Sequence, residues 1–522
     1  MKQTARKTLG EIADFLAADI KWQQGELDGD KPVFNLERQA SKAFDGCIFI
    51  ALPGSKHHAN HFIDAAWQVG ACWMITDQMP TEFRPGLGIW LVPNLAARLA
   101  DFANWFYDFP STKLNLIGVT GTNGKTTTSF LMAQMLHGLD QRVALMGTLG
   151  AGIYPHLHAT GHTTPDLLTI QAWLADAVAQ GCLFAVMEVS SHAVVQARIA
   201  GLQFRVKALT QVTEDHLDFH GSIQAYHQAK QDFFYQYPAQ QLANETWVLN
   251  QDDAIGQTLS TSGLPRRSGS SLDSRINRFS YSAHPVEISL QSHADLQLLN
   301  QQLSPEGFLL NLSWQGQAWS VKTALLGDYN IENLCCCMTI ALVMGFSSDD
   351  LTRVVPQLVA PSGRLERVDC KKPLNVVVDF AHTTDALRQV LLTLNKQRSA
   401  IDKTAALWVV FGCGGDRDKT KRPAMTSVAY QLADHLVLTS DNPRSEQIDM
   451  IFNDMLAGLP SGYDQLKIMI QPDRQLAIEA ALAGAKEGDW VLIAGKGHET
   501  TQEINGIYFA FSDQQVIKDW TP

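Results

Sequence analysis

Gly121-Thr122-Asn123-Gly124-Lys125-Thr126-Thr127-Thr128 is a glycine-rich run ending in Gly-Lys-Thr, set between a predicted strand over 114–120 and a predicted helix from 129 to about 139. Glycines let backbone N–H groups turn toward an anion, and the helix N-terminus adds partial positive charge. The lysine supplies a full charge for β- and γ-phosphate oxygens, and the threonine hydroxyl reaches Mg2+. The strict spacing would need glycine where Val119 stands, so this loop is a shorter variant. A triphosphate loop needs further oxygen ligands for magnesium. Glu188 closes a predicted buried strand over 184–189, where a carboxylate is costly unless it meets a cation; alone, it could equally be a satisfied structural carboxylate. The segment Thr213-Glu214-Asp215-His216-Leu217-Asp218-Phe219-His220-Gly221 crowds three acids and two histidines into one turn, more titratable groups than a loop needs for solubility.

These groups need a scaffold, and 522 residues at roughly 100 to 200 per domain predict about three domains. With 45% hydrophobic and 18% charged residues the chain can bury large cores, which excludes disordered and collagen-like classes. The net charge of -12 argues against nucleic-acid or anionic-membrane partners, so an anionic ligand must be gripped locally. Residues 1–22 read as an amphipathic helix rather than a secretory segment, and the apolar runs 405–413 and 490–494 are too short to span a membrane. The eight cysteines have no CxxC pairing and suit a reducing cytoplasm, with Cys335, Cys336 and Cys337 as helix core. His57, His58 and His61 lack partner carboxylates or cysteines and read as a surface loop.

Strand signals at 47–52 and 73–76 around a helix at 62–69 mark a small α/β unit, and Phe109-Pro110-Ser111-Thr112 turns into a new domain. Strand–helix alternation then predicts a parallel sheet, followed over 262–322 by an antiparallel appendage. After Pro361-Ser362-Gly363-Arg364, strands at 376–379, 407–411 and 436–439 predict a second open sheet with ligands at its carboxyl ends. The expected fold class is α/β with three domains: 1–109, a central P-loop domain over 110–360 and a Rossmann-like domain over 361–522.

The chain resembles the Mur ligase family, and within it the UDP-N-acetylmuramoyl-tripeptide synthetases, along essentially its whole length. The residues that carry the resemblance are the 121–128 loop, Thr163-Thr164-Pro165-Asp166, Glu188 to His192, Asp215 to Gly221 with Ala229-Lys230, Asn250-Gln251-Asp252-Asp253 and Gly327 to Asn333. Gly363-Arg364-Leu365-Glu366, Asp379-Phe380-Ala381-His382, Gly412 to Asp418, Asp441-Asn442-Pro443-Arg444 and Gly495-Lys496-Gly497-His498-Glu499 follow in the family's order. The resemblance implies a UDP-binding domain, an ATPase and an amino-acid-binding domain. It implies ATP-dependent amide formation in the cytoplasm: the γ-phosphate moves to the D-Glu side-chain carboxylate of UDP-N-acetylmuramoyl-L-Ala-D-Glu, and an amine displaces it. Gly121, Thr122, Asn123, Gly124, Lys125, Thr126 and Thr127 with Asn330, Arg364, Asp379 and His382 would hold ATP. Thr126 and Glu188 would bind a first Mg2+, and His216 with a carbamylated Lys230 a second. A carbamate is anionic, whereas a lysine ammonium repels a metal. Thr163, Thr164, Ser190, Gln196 and Arg198 would contact the muramoyl dipeptide, and a monomer is expected.

In the family, arginine at the fourth position of Asp-Asn-Pro-Arg goes with meso-diaminopimelate, whose second carboxylate a guanidinium can meet and which lysine lacks. Arg417, Asp441, Asn442, Pro443, Arg444, Gly495 and Glu499 would form that pocket, Glu499 meeting the distal ammonium. Four departures are visible: Leu36-Glu37-Arg38-Gln39 replaces an Asp-Ser-Arg near the uracil end, and His162, Gln211 and Thr384 stand where Asn, Asn and Pro are usual. Rival readings are a lysine-adding ligase, a folylpolyglutamate synthetase and a catalytically silent paralogue. A dinucleotide oxidoreductase fails, because Gly412-Cys413-Gly414-Gly415 lacks the third glycine of the fingerprint.

Overall fold

The structure, a computed structural model, describes residues 6–54, 57–213, 215–235, 245–261, 276–285, 294–304 and 307–522. Glu214 and parts of the expected appendage, 262–275, 286–293 and 305–306, lie outside the described residues. The chain divides into two compact units, Met1–Ser280 and Tyr281–Pro522.

The first unit holds two principal sheets. One has the order Trp22–Gln24, Gly88–Leu91, Trp73–Thr76, Cys47–Ala51 and Asn35–Glu37; the last four strands are parallel and the first antiparallel. The expected helix over 1–22 is only Leu9–Leu16. Thr8 and Glu11 form a reciprocal capping box that starts it late, with Thr8 N donating to Glu11 Oε2 at 2.7 Å. His58 is not a bare loop residue either, because its Nε2 lies 2.7 Å from Asp77 Oδ1.

The other sheet runs His156–His158, Gly150–Ile153, Val143–Gly147, Phe184–Glu188, Asn115–Thr120, Val206–Leu209 and Glu245–Asn250, parallel from the third strand onward. Its strands are buried on both faces, so they read as continuous apolar runs. Helix Leu167–Ala179 joins the two sheets: Leu167, Leu168 and Ala175 pack into the core under the first sheet, and Gln171 Nε2 donates to Asn104 Oδ1 at 2.7 Å.

In the second unit, Leu296–Ser304, Gly307–Trp314 and Gln317–Thr323 pair antiparallel, as expected for the appendage. Helix Asp328–Val343 buries Cys335, Cys336 and Cys337 completely. A six-stranded sheet follows in the order Glu366–Arg367, Asn375–Asp379, Trp490–Ala494, Leu407–Phe411, His435–Leu438 and Ile468–Ile470, parallel except for its first strand. Among the described residues no helix is long and apolar enough to cross a membrane.

Candidate active site

Strand Asn115–Thr120 ends in the glycine loop, and helix Lys125–Gly138 begins at once rather than at residue 129. Gly121 has no room for a side chain, since a Cβ there would lie 1.9 Å from Thr210 Oγ1. Gly124 takes the left-handed φ of 85° and leaves the helix without a side-chain cap, so its leading N–H groups face outward for an anion. Lys125 Nζ donates to the carbonyls of Gly121 and Thr122, both at 2.8 Å. Thr122 Oγ1 lies 2.7 Å from Tyr226 Oη, Asn123 N donates to Gln211 O, and Thr127 is buried in the first helical turn.

Glu188 is buried at the end of the neighbouring strand, with Oε2 accepting from Thr126 Oγ1 at 2.9 Å and Oε1 from Thr148 N at 2.7 Å. Burial pushes its carboxyl above the ordinary glutamate range, against those hydrogen bonds and the Lys125 charge. Gly147 makes the space, because a Cβ there would lie 2.1 Å from Glu188 Oε1. Thr148 also reaches Thr163, Oγ1 to Oγ1 at 3.1 Å. Thr164 Oγ1 donates to Glu188 O at 2.8 Å and accepts from Ser190 N at 3.1 Å. Arg198 Nη1 donates to Thr164 O at 2.6 Å, and its Nε and Nη2 donate to Gln196 Oε1. The expected dipeptide contacts are thus one connected set beside the phosphate loop.

Lys230, on helix Ile223–Tyr235, is buried and donates through Nζ to Gly121 O at 2.7 Å, the carbonyl Lys125 also uses. Burial, reinforced by the Lys125 charge, drops its pKa well below the ordinary lysine value, which favours the uncharged amine. Tyr226, one turn earlier, lies 4.6 Å from Nζ at its ring centroid. His216 is exposed, in left-handed backbone at φ 51°, with its ring 6.2 Å from Tyr226 and 4.9 Å from His192. Among the described residues no three His, Cys, Asp or Glu side chains gather into a metal cage. The Thr126 and Glu188 oxygens nevertheless fit a hard cation, and an uncharged Lys230 fits carbamylation. Thr148 and Tyr226 escaped the sequence reading; only the i, i+4 spacing of Tyr226 and Lys230 hinted at the second.

In the Leu36–Gln39 segment, Glu37 closes its own turn, Oε1 accepting from Arg38 N and Gln39 N at 2.9 Å each.

In the second unit the expected amino-acid pocket lies at the carboxyl ends of adjacent strands. Lys496 is fully buried and donates to Asn442 Oδ1 and Glu499 Oε2, both at 3.0 Å; Asn442 Nδ2 donates to the same Glu499 oxygen. Burial alone would raise the Glu499 carboxyl, but these hydrogen bonds hold it below the usual range. Asp441 is buried and its carboxyl is pushed up by that burial; Gly495 sits so close that a Cβ would lie 2.9 Å from Asp441 Oδ2. Underneath, buried Arg474 pairs with Asp513 and donates to Ala494 O and Ser440 O, tying two strand ends together. Arg444 donates from Nη1 to Gly415 O at 2.8 Å and from Nε to Glu503 Oε2 at 3.1 Å, whereas Arg417 is exposed.

Arg364 lies 5.1 Å from the Phe380 ring, and His382 Nδ1 is 2.8 Å from Phe380 O. Asp379 accepts from Leu365 N and Ala381 N, and burial pushes its carboxyl up to about 6. Asn330 is turned inward instead, donating to Leu326 O at 2.8 Å.

The chain matches the Mur ligase middle domain over residues 119–341 and the Mur ligase glutamate ligase domain over 363–497. It is 37% identical over 494 residues to the UDP-N-acetylmuramoyl-L-alanyl-D-glutamate–2,6-diaminopimelate ligase of Chromobacterium violaceum, covering 94% of each chain. The ligase of the same name from Pseudomonas putida is 38% identical over 471 residues, 90% of each. A solved structure of a ligase with that name superposes with a TM-score of 0.68 at 35% identity, covering 98% of this chain and 97% of the other.

Proposed function

This chain belongs to the Mur ligase family, and from that premise we propose that it uses ATP to join meso-diaminopimelate to UDP-N-acetylmuramoyl-L-alanyl-D-glutamate in cytoplasmic peptidoglycan precursor synthesis. The observation that carries the reading is the Thr126–Glu188 hydrogen bond beside the phosphate loop, in a chain 37% identical to such a ligase over 94% of both lengths. Residues 1–109 would take the UDP end, 110–360 ATP and 361–522 the amino acid.

A carboxylate is a poor acyl donor. One of its oxygens attacks the γ-phosphorus, the β–γ bridge bond breaks, and ADP leaves an acyl phosphate. The incoming amine then attacks the acyl carbon, phosphate departs with the bonding pair, and the amine loses a proton. Lys125 and the loop N–H groups hold the phosphates against their own repulsion; Thr163, Thr164, Ser190, Gln196 and Arg198 orient the dipeptide, so positioning and charge carry most of the acceleration. Thr126 and Glu188 would hold one magnesium ion, and His216 with a Lys230 carbamate a second. Bound there, magnesium would neutralise phosphate charge. Lys230 can become that ligand because an uncharged amine adds its lone pair to CO2 and releases a proton, giving an anionic carbamate. Asn330, Arg364, Asp379 and His382 are proposed ATP contacts, and Arg417, Asp441, Asn442, Pro443, Arg444, Gly495 and Glu499 the diaminopimelate pocket.

Phosphate release with the UDP-dipeptide, ATP and Mg2+ is expected with meso-diaminopimelate and to be much weaker with lysine or ornithine. No diaminopimelate-dependent release would overturn the reading.

The magnesium site has its own test. Because the Glu188 pKa is raised in the folded state, that state holds an extra proton from the ordinary glutamate pKa of about 4.3 upward until the folded pKa is passed. Without metal, this group's contribution therefore falls as pH rises through that window. Millimolar Mg2+ is expected to raise Tm above the window and to do little below it. Glu188→Gln removes the buried anion, so its Tm without metal should equal or exceed wild type and its Mg2+ response should shrink to whatever the second proposed magnesium ion contributes. A thermal melt series in pH, with and without Mg2+, checks this; an unchanged Mg2+ response in Glu188→Gln counts against the site.

A further inference from the structure

The hairpin that follows the Gly-Lys-Gly-His-Glu segment holds Arg444 by its backbone and by Nε. Strands Thr501–Ile504 and Ile507–Ala510 pair antiparallel through Asn505 and Gly506, both at positive φ, the two-residue turn whose twist matches its strands. Arg444 itself sits at φ 51°, a left-handed conformation that a long side chain adopts only when its surroundings impose it. The hairpin imposes it: Arg444 N donates to Glu503 O at 3.1 Å, and Asn505 N donates to Arg444 O at 2.8 Å. Glu503 adds the side chain, its Oε2 taking Arg444 Nε at 3.1 Å, while its own N–H donates to Asn442 Oδ1 at 2.9 Å. One glutamate thereby fixes the backbone and the guanidinium of Arg444 and links both to the Asn442–Lys496–Glu499 network.

The consequence for the guanidinium is directional. Nε goes to Glu503 and one Nη1 proton to Gly415 O, whereas Nη2 has no hydrogen bond to any described residue. Nη2 and the second Nη1 proton are thus left without a partner among the described residues, and two such N–H groups can meet a carboxylate with two parallel bonds. Gly414 keeps them approachable, since a Cβ there would lie 3.0 Å from Nη1. Both members of the pair are mostly buried, with side chains 23% and 21% exposed, so their attraction is screened less than a surface pair's.

We propose that Glu503 is a positioning residue for the amino-acid substrate: it holds Arg444 by Nε so that the Nη edge is aimed at the substrate's distal carboxylate. This rests on the assignment of Arg444 to a dicarboxylic diamino acid made above. Pre-orienting the fork removes the cost of ordering a long side chain at each binding event.

Steady-state phosphate release by the full-length chain tests it, comparing wild type with Glu503→Ala and Glu503→Gln. Glu503→Ala should raise KM for meso-diaminopimelate about tenfold, the loss of one charge-assisted contact, with KM for ATP unchanged and kcat within about twofold. Glu503→Gln, which keeps an acceptor for Nε, should stay within about threefold of wild type. An unchanged KM for diaminopimelate in Glu503→Ala, or a parallel rise in KM for ATP, overturns the positioning role. Wild type with no diaminopimelate-dependent turnover would fail the functional reading instead, so the two failures are told apart in the same assay.

Discussion

Lys230→Ala is expected to lower ATP-dependent phosphate release by about a hundredfold to a thousandfold, a loss of the size that follows removal of a group stabilising transferring charge. Added bicarbonate should not restore it. The side chain cannot be a passive helix lysine: it is buried, it donates to the Gly121 carbonyl at 2.7 Å, and the Lys125 charge is felt at its amine. An ammonium there would oppose both Lys125 and any cation on Glu188, whereas a carbamate would complement them. Lys230→Arg should be equally inactive, because a guanidinium keeps the positive charge and cannot be carbamylated. Labelling with 13C-bicarbonate gives a second readout, a carbamate resonance present in wild type and absent from both variants. Full activity in Lys230→Ala would remove the carbamate from the mechanism.

The phosphate loop was legible in the chain because its parts are local, whereas Lys230, 109 residues from the Gly121 carbonyl it meets, was reached only through the family resemblance. A strand, two glycines and Gly-Lys-Thr are contiguous, and Val119 in place of a glycine did not disturb the geometry, since Gly121 and Gly124 alone supply the unusual backbone. The helix start was misplaced because Thr126 to Ser129 look too polar for a buried turn; in the fold, Ser129 Oγ satisfies itself on Thr126 O. Thr8 and Glu11 did spell a capping box, yet the surrounding apolar periodicity masked it. Strands Glu366–Arg367 and Ile468–Ile470 are too short to show a period. Thr148 lay beyond reach for another reason. Its role depends on Val143–Gly147 pairing beside Phe184–Glu188, which brings residues forty apart together, and no spacing in the sequence encodes that.

Asn505-Gly506 was a readable turn signal. What it could not disclose was that the hairpin clamps the fourth residue of Asp-Asn-Pro-Arg. The Asn442–Glu499 and Arg444–Glu503 side-chain pairs are joined through the Glu503 N–H, with buried Lys496 on the first pair, so the proposed selectivity would rest on a network rather than on one arginine.

Arg444→Ala is therefore expected to cut kcat/KM for meso-diaminopimelate by about thirtyfold to five-thousandfold, the range for losing a paired charge contact of about 2–5 kcal/mol. Two effects add. The fork that meets the distal carboxylate is gone, and Glu503, released from Arg444, now presents an uncompensated carboxylate that repels the same substrate group. Lysine lacks that group and loses neither interaction, so the preference for diaminopimelate over lysine should collapse by a similar factor. Arg444→Lys should fall between, since it restores charge without the two-pronged geometry. Glu503→Ala added to Arg444→Ala should recover part of the lost affinity for diaminopimelate rather than deepen the loss, because there is no arginine left to position and the repelling carboxylate is gone. Paired kcat/KM values for the two amino acids decide the matter, and an unchanged ratio in Arg444→Ala would show that selectivity resides elsewhere.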